Sequence, residues 1–172
     1  MTGSNTQRMI HLSLMVGLAM GLHIFESFLP MPYLFPGAKL GLANIVTLFV
    51  MVSFGVKAAI LISVLRTILG SLLIGTLLNI TFFLSFSGSL VSALIMGLAY
   101  VYLKNHLSLM GISILGALTH NLAQVAVAAY FIGTVGIFIY LPYLLIFALP
   151  TGFFVGIVTA QLLRLRHFEH LL

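Results

Sequence analysis

Residues 58–78 read AAILISVLRTILGSLLIGTLL, an apolar run that is interrupted near its middle by one basic residue, Arg66. The hydrocarbon core of a bilayer requires a helix of about 20 mostly apolar residues. A helix also satisfies all of its backbone hydrogen bonds internally, which the absence of water in that core demands. The run therefore predicts a membrane-spanning α-helix.

The composition of the whole chain agrees with a location in lipid. Of its 172 residues, 62% are hydrophobic and 5% are charged, with a mean hydropathy of +1.26. A soluble domain carries about 25% charged residues, so this chain cannot cover a water-facing surface with ions. The net charge of +5 comes from single basic residues that, apart from Arg66, lie at the ends of apolar runs, which favours membrane topology over a nucleic-acid partner. The chain has no cysteine, which excludes disulfides and thiol chemistry.

Interruptions by Gly, Pro, Asn and Lys residues divide the chain into six apolar stretches. They cover about residues 9–29, 40–54, 58–78, 81–103, 109–132 and 137–163. We predict an all-α integral membrane protein in which residues 1–172 form a single domain of six transmembrane helices. The continuity of the fourth span stays open, because the polar and small residues between 79 and 88 could form a re-entrant bend.

The basic residues predict the orientation. Loops on the cytoplasmic side of membrane proteins are enriched in Lys and Arg. If the N-terminus is cytoplasmic, only Lys39 falls outside, and five basic residues lie at cytoplasmic ends: Arg8, Lys57, Lys104, Arg164 and Arg166. The seventh, Arg66, lies inside a span. Six spans with both termini in the cytoplasm are therefore predicted.

Few polar residues lie inside the spans, and each needs a partner or a watery cavity because polar groups in hydrocarbon are costly. At 1.5 Å per residue, Arg66 lies about 12–14 Å and His120 about 16 Å from the cytoplasmic ends of their spans. The other members lie in the outer half or near the midplane. The distribution predicts a substrate pocket that opens to the outside, with these lining residues: Glu26, Lys39, Asn44, Arg66, His120, Asn121 and Gln124.

Structural roles for the same residues stay open at this point. Glu26 could form a salt bridge with Lys39 or Arg66, and His120, Asn121 and Gln124 could form interhelical hydrogen bonds. Arg66 is expensive enough in the membrane that binding an anionic group, or holding Glu26, is favoured over a neutral role. A metal site is not predicted, because the chain has no Asp or Cys to complete a ligand set.

Sequence signatures of catalysis are absent. Glu26 and Glu169 are predicted on opposite sides of the membrane, which excludes a carboxylate pair. No Asp-rich motif could hold magnesium and a diphosphate, and no phosphate loop or nucleophile elbow occurs. We therefore predict neither an enzyme nor a bound cofactor, and any ATP hydrolysis has to come from another protein.

The first span also carries a strip of small residues, Gly17-x-x-x-Gly21. Such a strip lets another helix approach closely. Two interpretations are open, namely docking of a partner helix and ordinary packing inside the bundle.

Four segments together resemble a bacterial membrane family over nearly the whole chain. They are Glu26-Ser-Phe-Leu-Pro30, Pro36-Gly-Ala-Lys39-Leu-Gly-Leu-Ala-Asn44, Arg66-Thr-Ile-Leu-Gly70 and Gly116-Ala-Leu-Thr-His120-Asn-Leu-Ala-Gln124. The family is labelled Gx transporter or "heptaprenyl diphosphate synthase component I". It resembles the substrate-binding S components of energy-coupling factor (ECF) transporters.

The resemblance implies a six-helix bundle in the bacterial cell membrane, with an outward-facing pocket covered by the loop between the first two spans. It also implies that Gly17 and Gly21, where such families usually show Ala-x-x-x-Ala, dock against a membrane coupling subunit. Two cytoplasmic ATPase subunits would supply the energy. The synthase label implies prenyl chain elongation, for which this chain lacks the aspartates.

We therefore expect an S component that captures a small molecule, either anionic or related to isoprenoids and quinones. Arg66 and Lys39 would attract its anionic group, and Glu26 would hold the basic residues or the lid. Two alternatives remain: a membrane subunit for prenyl diphosphate or quinone synthesis, and a stand-alone secondary transporter driven by protons through Glu26 and His120.

Overall fold

A computed structural model of the chain describes residues 2–28 and 41–169. These residues form six α-helices and one short 3-10 helix, and they contain no strand. The all-α prediction is confirmed. In chain order the helices are α1 (Thr2–Ser27), α2 (Leu42–Phe54), α3 (Val56–Ile74), α4 (Ile80–Leu103), α5 (Leu109–Ile132), the 3-10 helix (Val135–Tyr140) and α6 (Leu141–Glu169).

Five of the described helices are long and apolar enough to cross a membrane. The exception is α2, an apolar helix of 13 residues. At 1.5 Å per residue it is about 20 Å long, which is shorter than the hydrocarbon core of about 30 Å. The length and composition of the other helices make the chain a multi-pass membrane protein.

The boundary between α3 and α4 differs from the prediction. The third span was expected to continue to residue 78, but α3 ends at Ile74, where Gly75 takes a left-handed conformation with φ of 77°. Such a residue is the common C-terminal stop of a helix. Asn79 then caps α4 by accepting a hydrogen bond from the backbone N–H of Ile80 at 2.7 Å. From there α4 is continuous to Leu103, so the fourth span contains no re-entrant bend.

The sixth predicted span is also divided differently. The structure places a 3-10 helix over Val135–Tyr140, and α6 begins only at Leu141. Pro142 lies in the first turn of α6, where a backbone N–H would have no partner within the helix, so its absence removes no hydrogen bond. Pro150 lies inside α6, where it cannot donate to the carbonyl group one turn earlier. The helix nevertheless remains continuous across it.

Two contacts show which helix ends lie together. Nη2 of Arg8, near the start of α1, donates a hydrogen bond to the carbonyl oxygen of Phe54 at the end of α2, at 3.1 Å. Gly97, in the last part of α4, packs against Val56 at the start of α3, since a Cβ on that glycine would lie 2.5 Å from Val56 Cγ1. Arg8 and Lys57 therefore lie at the same end of the bundle, as the predicted topology requires.

Helices α5 and α6 pack closely through two glycines one turn apart. A Cβ on Gly152 would lie 2.7 Å from the Cα of Ile114, and one on Gly156 would lie 2.5 Å from the Cα of Met110. Only glycine permits two helix backbones to come this near. The contact brings the middle of α6 against α5, beside the buried polar residues described next.

Candidate functional site

A small cavity of about 30 Å³ lies inside the bundle. Each of the six described α-helices contributes at least one residue to its wall. Nine of the thirteen lining residues have polar side chains, which is unusual for a bundle whose exterior is apolar. The lining residues are His23, Glu26, Gly41, Asn44, Arg66, Ser89, Ser113, Ala117, His120, Asn121, Thr151, Gly152 and Val155.

Arg66 is the basic residue of this cavity and is 3% exposed. Its Nη2 donates hydrogen bonds to Asn44 Oδ1 at 2.7 Å and to Ser89 Oγ at 3.3 Å. Residues of α2 and α4 thus fix the orientation of a guanidinium carried by α3. Its Nε is buried and has no hydrogen-bond partner among the described residues. A donor is therefore left over on a group that is always charged.

Glu26, near the C-terminal end of α1, is the acidic residue of the cavity. Its Oε1 accepts a short hydrogen bond from the backbone N–H of Gly41, just before α2. Gly41 has a φ of 75°, a left-handed conformation that glycine adopts without steric cost. The carboxylate also lies close enough to Arg66 for the two charges to attract each other. Glu26 therefore links the start of α2 to the charge on α3.

Two histidines of the cavity wall each lie over a glycine of a neighbouring helix. A Cβ on Gly88 of α4 would come within 2.8 Å of His120 Nε2, and a Cβ on Gly70 of α3 would come within 2.8 Å of His23 Cδ2. Any larger residue at either glycine would displace the imidazole. The glycines therefore create the space in which both rings reach the cavity.

Asn121 and Gln124 are both buried, but they differ in their relation to the cavity. Asn121 lines it and donates from Nδ2 to the carbonyl oxygen of Leu144 at 2.8 Å, so it also joins α5 to α6. Gln124 is 3% exposed and is not one of the lining residues. Its Oε1 has no hydrogen-bond partner within the described ranges.

The structure brings most of the predicted pocket residues together. Lys39 lies outside the described residues, as does the whole loop expected to cover the pocket, residues 30–39. Five of the seven predicted residues line the cavity: Glu26, Asn44, Arg66, His120 and Asn121.

The small residues of α1 lie elsewhere in the structure. Gly17 and Gly21 are exposed, and a Cβ on either would meet no atom within 4 Å. Ordinary packing inside the bundle, the alternative left open for this strip, therefore does not occur among the described residues. The face remains open on the outside of α1.

Sequence reasoning missed the hydroxyl residues of the wall, Ser89, Ser113 and Thr151. Serine and threonine are common in membrane helices, where they often bond the backbone of their own helix, so each alone carries little signal. Ser113 lies about one turn from the start of α5. The polar lining therefore extends further toward the cytoplasmic end than the predicted outer-half distribution. The four-residue spacing of Ser85 and Ser89, beside Gly88, was the signal that could have identified a polar face on α4.

The fold and the site define a multi-pass, all-helical membrane protein with a buried polar cavity at its centre. Among the described residues, no group of three or more His, Cys, Asp or Glu side chains is placed to hold a metal ion.

A comparison with known protein families identifies the family of this chain. The family described as heptaprenyl diphosphate synthase component I matches residues 15–162, and the chain belongs to that family. The description names one component of a synthase, which implies a partner subunit. No curated protein and no solved structure matches the chain.

Proposed function

We propose that this protein is the substrate-binding component of an ECF-type importer in the bacterial cell membrane, and that it captures a small anionic molecule from outside. The observation that carries the proposal is the buried guanidinium of Arg66 in a polar cavity to which each described α-helix contributes. An ionisable residue inside a membrane bundle is costly to retain and marks a functional site by default. A purely structural ion pair would not need a wall of additional polar side chains.

The residues of the site have distinct roles in this proposal. Arg66 binds the anionic group, and Asn44 and Ser89 hold its guanidinium in place through their hydrogen bonds. His120 and Asn121 orient the substrate from α5, and Gln124 supports them from the same helix. Lys39, whose role rests on the sequence alone, adds positive charge at the outer entrance.

In this proposal the energy comes from ATP hydrolysis by other subunits, since the chain itself contains no phosphate-binding loop. Two cytoplasmic ATPase subunits would act through a membrane coupling subunit. The exposed strip of Gly17 and Gly21 is our candidate docking face, since a small-residue strip permits close helix approach and nothing in the described bundle covers it.

Reconstitution tests this proposal. The chain is co-expressed with a coupling subunit and an ATPase pair from the same cell, purified, and analysed by mass spectrometry for a co-purified small molecule. Uptake of that molecule into proteoliposomes should require ATP and should be lost in Arg66→Ala. Uptake by the chain alone under a proton gradient, or an Arg66→Ala variant that binds as well as the parent, would contradict it.

A second candidate function is that of a membrane subunit for prenyl diphosphate synthesis, which the description of the family favours. In that case a soluble catalytic subunit should bind this chain and lose activity without it, and no ATPase pair should co-purify. The chain itself would anchor or position that subunit, because it has no Asp with which to hold a magnesium diphosphate.

A further inference from the structure

We infer that the ligand of the cavity is a compact hydrophilic anion, such as a phosphate or a small carboxylate, bound beside Arg66. It is not the isoprenoid diphosphate that the name of the family suggests. The inference deepens the proposed function and rests on it in one respect, namely that the cavity is the substrate site.

The chemistry of the wall is the first argument. Its described polar side chains are a guanidinium, two imidazoles, two amides, three hydroxyl groups and one carboxylate. The Asn121 amide and the Thr151 hydroxyl already donate to backbone carbonyl groups, whereas Arg66 Nε has no partner among the described residues. A polar wall with a spare donor on its guanidinium suits a ligand with acceptor oxygens. Among the described lining residues, only Ala117 and Val155 offer apolar side chains. An isoprenoid chain placed here would leave the buried Nε of Arg66 without an acceptor, which is energetically unfavourable.

The size of the cavity is the second argument. Its volume of about 30 Å³ is roughly two to three times the 10–15 Å³ that one water molecule requires in the same measure, so it accommodates a group of only a few atoms. A compact anion requires a modest displacement of the wall. A chain of several isoprene units is much larger than this space, and the contact of Gly152 with the backbone of Ile114 opposes widening the space between α5 and α6.

The orientation of Arg66 is the third argument. Asn44 and Ser89 both bind Nη2, so the guanidinium plane is fixed before any ligand arrives. The Nε–H is buried and has no partner among the described residues. A planar guanidinium with donors to spare matches the oxygens of carboxylates and phosphates. The nearby carboxylate of Glu26 weakens the attraction for an anion, which favours a site that also releases its ligand.

The test uses the full chain in nanodiscs of phosphatidylcholine, with arginine labelled with ¹⁵N at Nε. The chain has four arginines, Arg8, Arg66, Arg164 and Arg166, and an Arg66→Lys variant identifies the Arg66 signal. Titration with inorganic phosphate, and separately with acetate, should shift the Arg66 signal saturably and leave the other three in place. Retention of [³²P]phosphate by the same samples gives a second readout and should be lost in Arg66→Lys.

Matched serine variants of α4 separate the site from general effects. Ser89→Ala removes an acceptor that orients Arg66 and should weaken phosphate binding by about 3- to 10-fold. Ser87→Ala removes a hydroxyl that bonds the carbonyl oxygen of Leu84 on its own helix, outside the cavity, and should leave binding unchanged. Glu26→Gln removes the competing negative charge and should tighten phosphate binding by about 3-fold or more.

Three results would overturn the inference. One is that farnesyl diphosphate shifts the Arg66 signal at lower concentrations than inorganic phosphate, inorganic diphosphate and acetate. Another is that the Arg66 signal follows the content of anionic lipid in the nanodisc instead of added phosphate, which would assign the anion to a lipid headgroup. The third is an absence of both phosphate retention and any shift.

Failure of this inference and failure of the proposed function are distinguishable. If farnesyl diphosphate is the better ligand but ATP-dependent uptake occurs, the importer remains and the ligand class is wrong. If phosphate binds at Arg66 but no ATPase pair supports uptake, the ligand class remains and the importer is wrong.

Discussion

Arg66 on α3 donates a hydrogen bond from Nη2 to the side-chain oxygen of Asn44 on α2, at 2.7 Å. Both residues are buried, with exposures of 3% and 9%. Hydrogen bonds to a charged group are stronger than neutral ones, and here the bond holds a cation whose removal from water is costly. The pair therefore stabilises the bundle and also fixes the direction in which the cation faces the cavity.

Replacing Asn44 with Ala should destabilise the folded bundle by about 1–2 kcal/mol, because the variant removes an acceptor from a buried charge. Ser53→Ala on the same helix is the matched control. The Ser53 hydroxyl is buried without a hydrogen-bond partner among the described residues, so its removal should change stability little. Thermal unfolding of both variants in detergent micelles measures the difference, and equal stabilities would contradict the importance of the pair.

The acidic partner of the cavity gives a second prediction. Glu26→Gln keeps an oxygen that can accept from the Gly41 N–H but removes the charge that attracts Arg66. Glu26→Ala removes both. We expect both variants to be less stable than the parent, because a buried cation is left without its counter-charge.

The difference between the two variants isolates the hydrogen bond to Gly41. Glu26→Ala should be less stable than Glu26→Gln by about 1 kcal/mol, the net contribution of one such bond. Unfolding of the two proteins under identical conditions provides the measurement. If Glu26→Gln is as stable as the parent, the charge of Glu26 does not stabilise Arg66.

The sequence was sufficient to predict most of the architecture and the centre of the site, for a physical reason. Apolar helices contain Arg66, Glu26 and His120. Because a polar side chain in hydrocarbon has a high free-energy cost, the presence of these residues indicates a buried polar cluster. An apolar run of about 20 residues predicts a helix for a related reason. In lipid, a helix is the only conformation in which a single segment forms all of its backbone hydrogen bonds internally.

Other features depend on tertiary contacts that a single sequence does not reveal. In the sequence, nothing distinguishes Ser113 and Thr151 from other small polar residues. Only the packing of the helices shows that they line the cavity. The end of α3 at Ile74 depends on the left-handed conformation of Gly75, whereas the apolar run itself continues to residue 78. The exposure of Gly17 depends on which face of α1 the other helices cover.

Glycine contacts predict a graded series of stabilities. At Gly156 an added Cβ meets the backbone of Met110, and at Gly88 it meets the ring of His120. A side chain can shift at a lower cost than a backbone, so Gly156→Ala should destabilise the bundle by about 1–3 kcal/mol and Gly88→Ala by less. Gly88→Ala should still weaken phosphate binding, because it displaces the ring from the cavity wall.

Gly17→Ala is the control for this series. No atom lies within 4 Å of an added Cβ there, and alanine favours a helix over glycine by up to about 1 kcal/mol. The variant should therefore be as stable as the parent or slightly more stable. Unfolding midpoints in the order Gly17→Ala, Gly88→Ala, Gly156→Ala, from high to low, are expected, and a Gly156→Ala variant as stable as Gly17→Ala would contradict the close approach of α5 and α6.

The last prediction concerns whether the short helix α2 crosses the membrane. Arg8 lies near the start of α1 and donates to the carbonyl oxygen of Phe54 at the end of α2, so the two helix ends are adjacent. If the N-terminus is cytoplasmic, as the basic residues indicate, Lys57 must be cytoplasmic as well. The chain has no cysteine of its own, which makes single cysteine variants free of background labelling.

A membrane-impermeant maleimide on intact cells should label Val135→Cys, whose position is 81% exposed at the predicted outer end. It should label Gln7→Cys and Lys57→Cys only after the membrane is permeabilised. Labelling of Lys57→Cys in intact cells, while Gln7→Cys stays protected, would mean that α2 does not cross and that the chain has an odd number of spans. The 13 residues of α2 do not exclude a crossing, because a span shorter than the hydrocarbon core is accommodated by local thinning of the bilayer or by flanking residues that reach the interface.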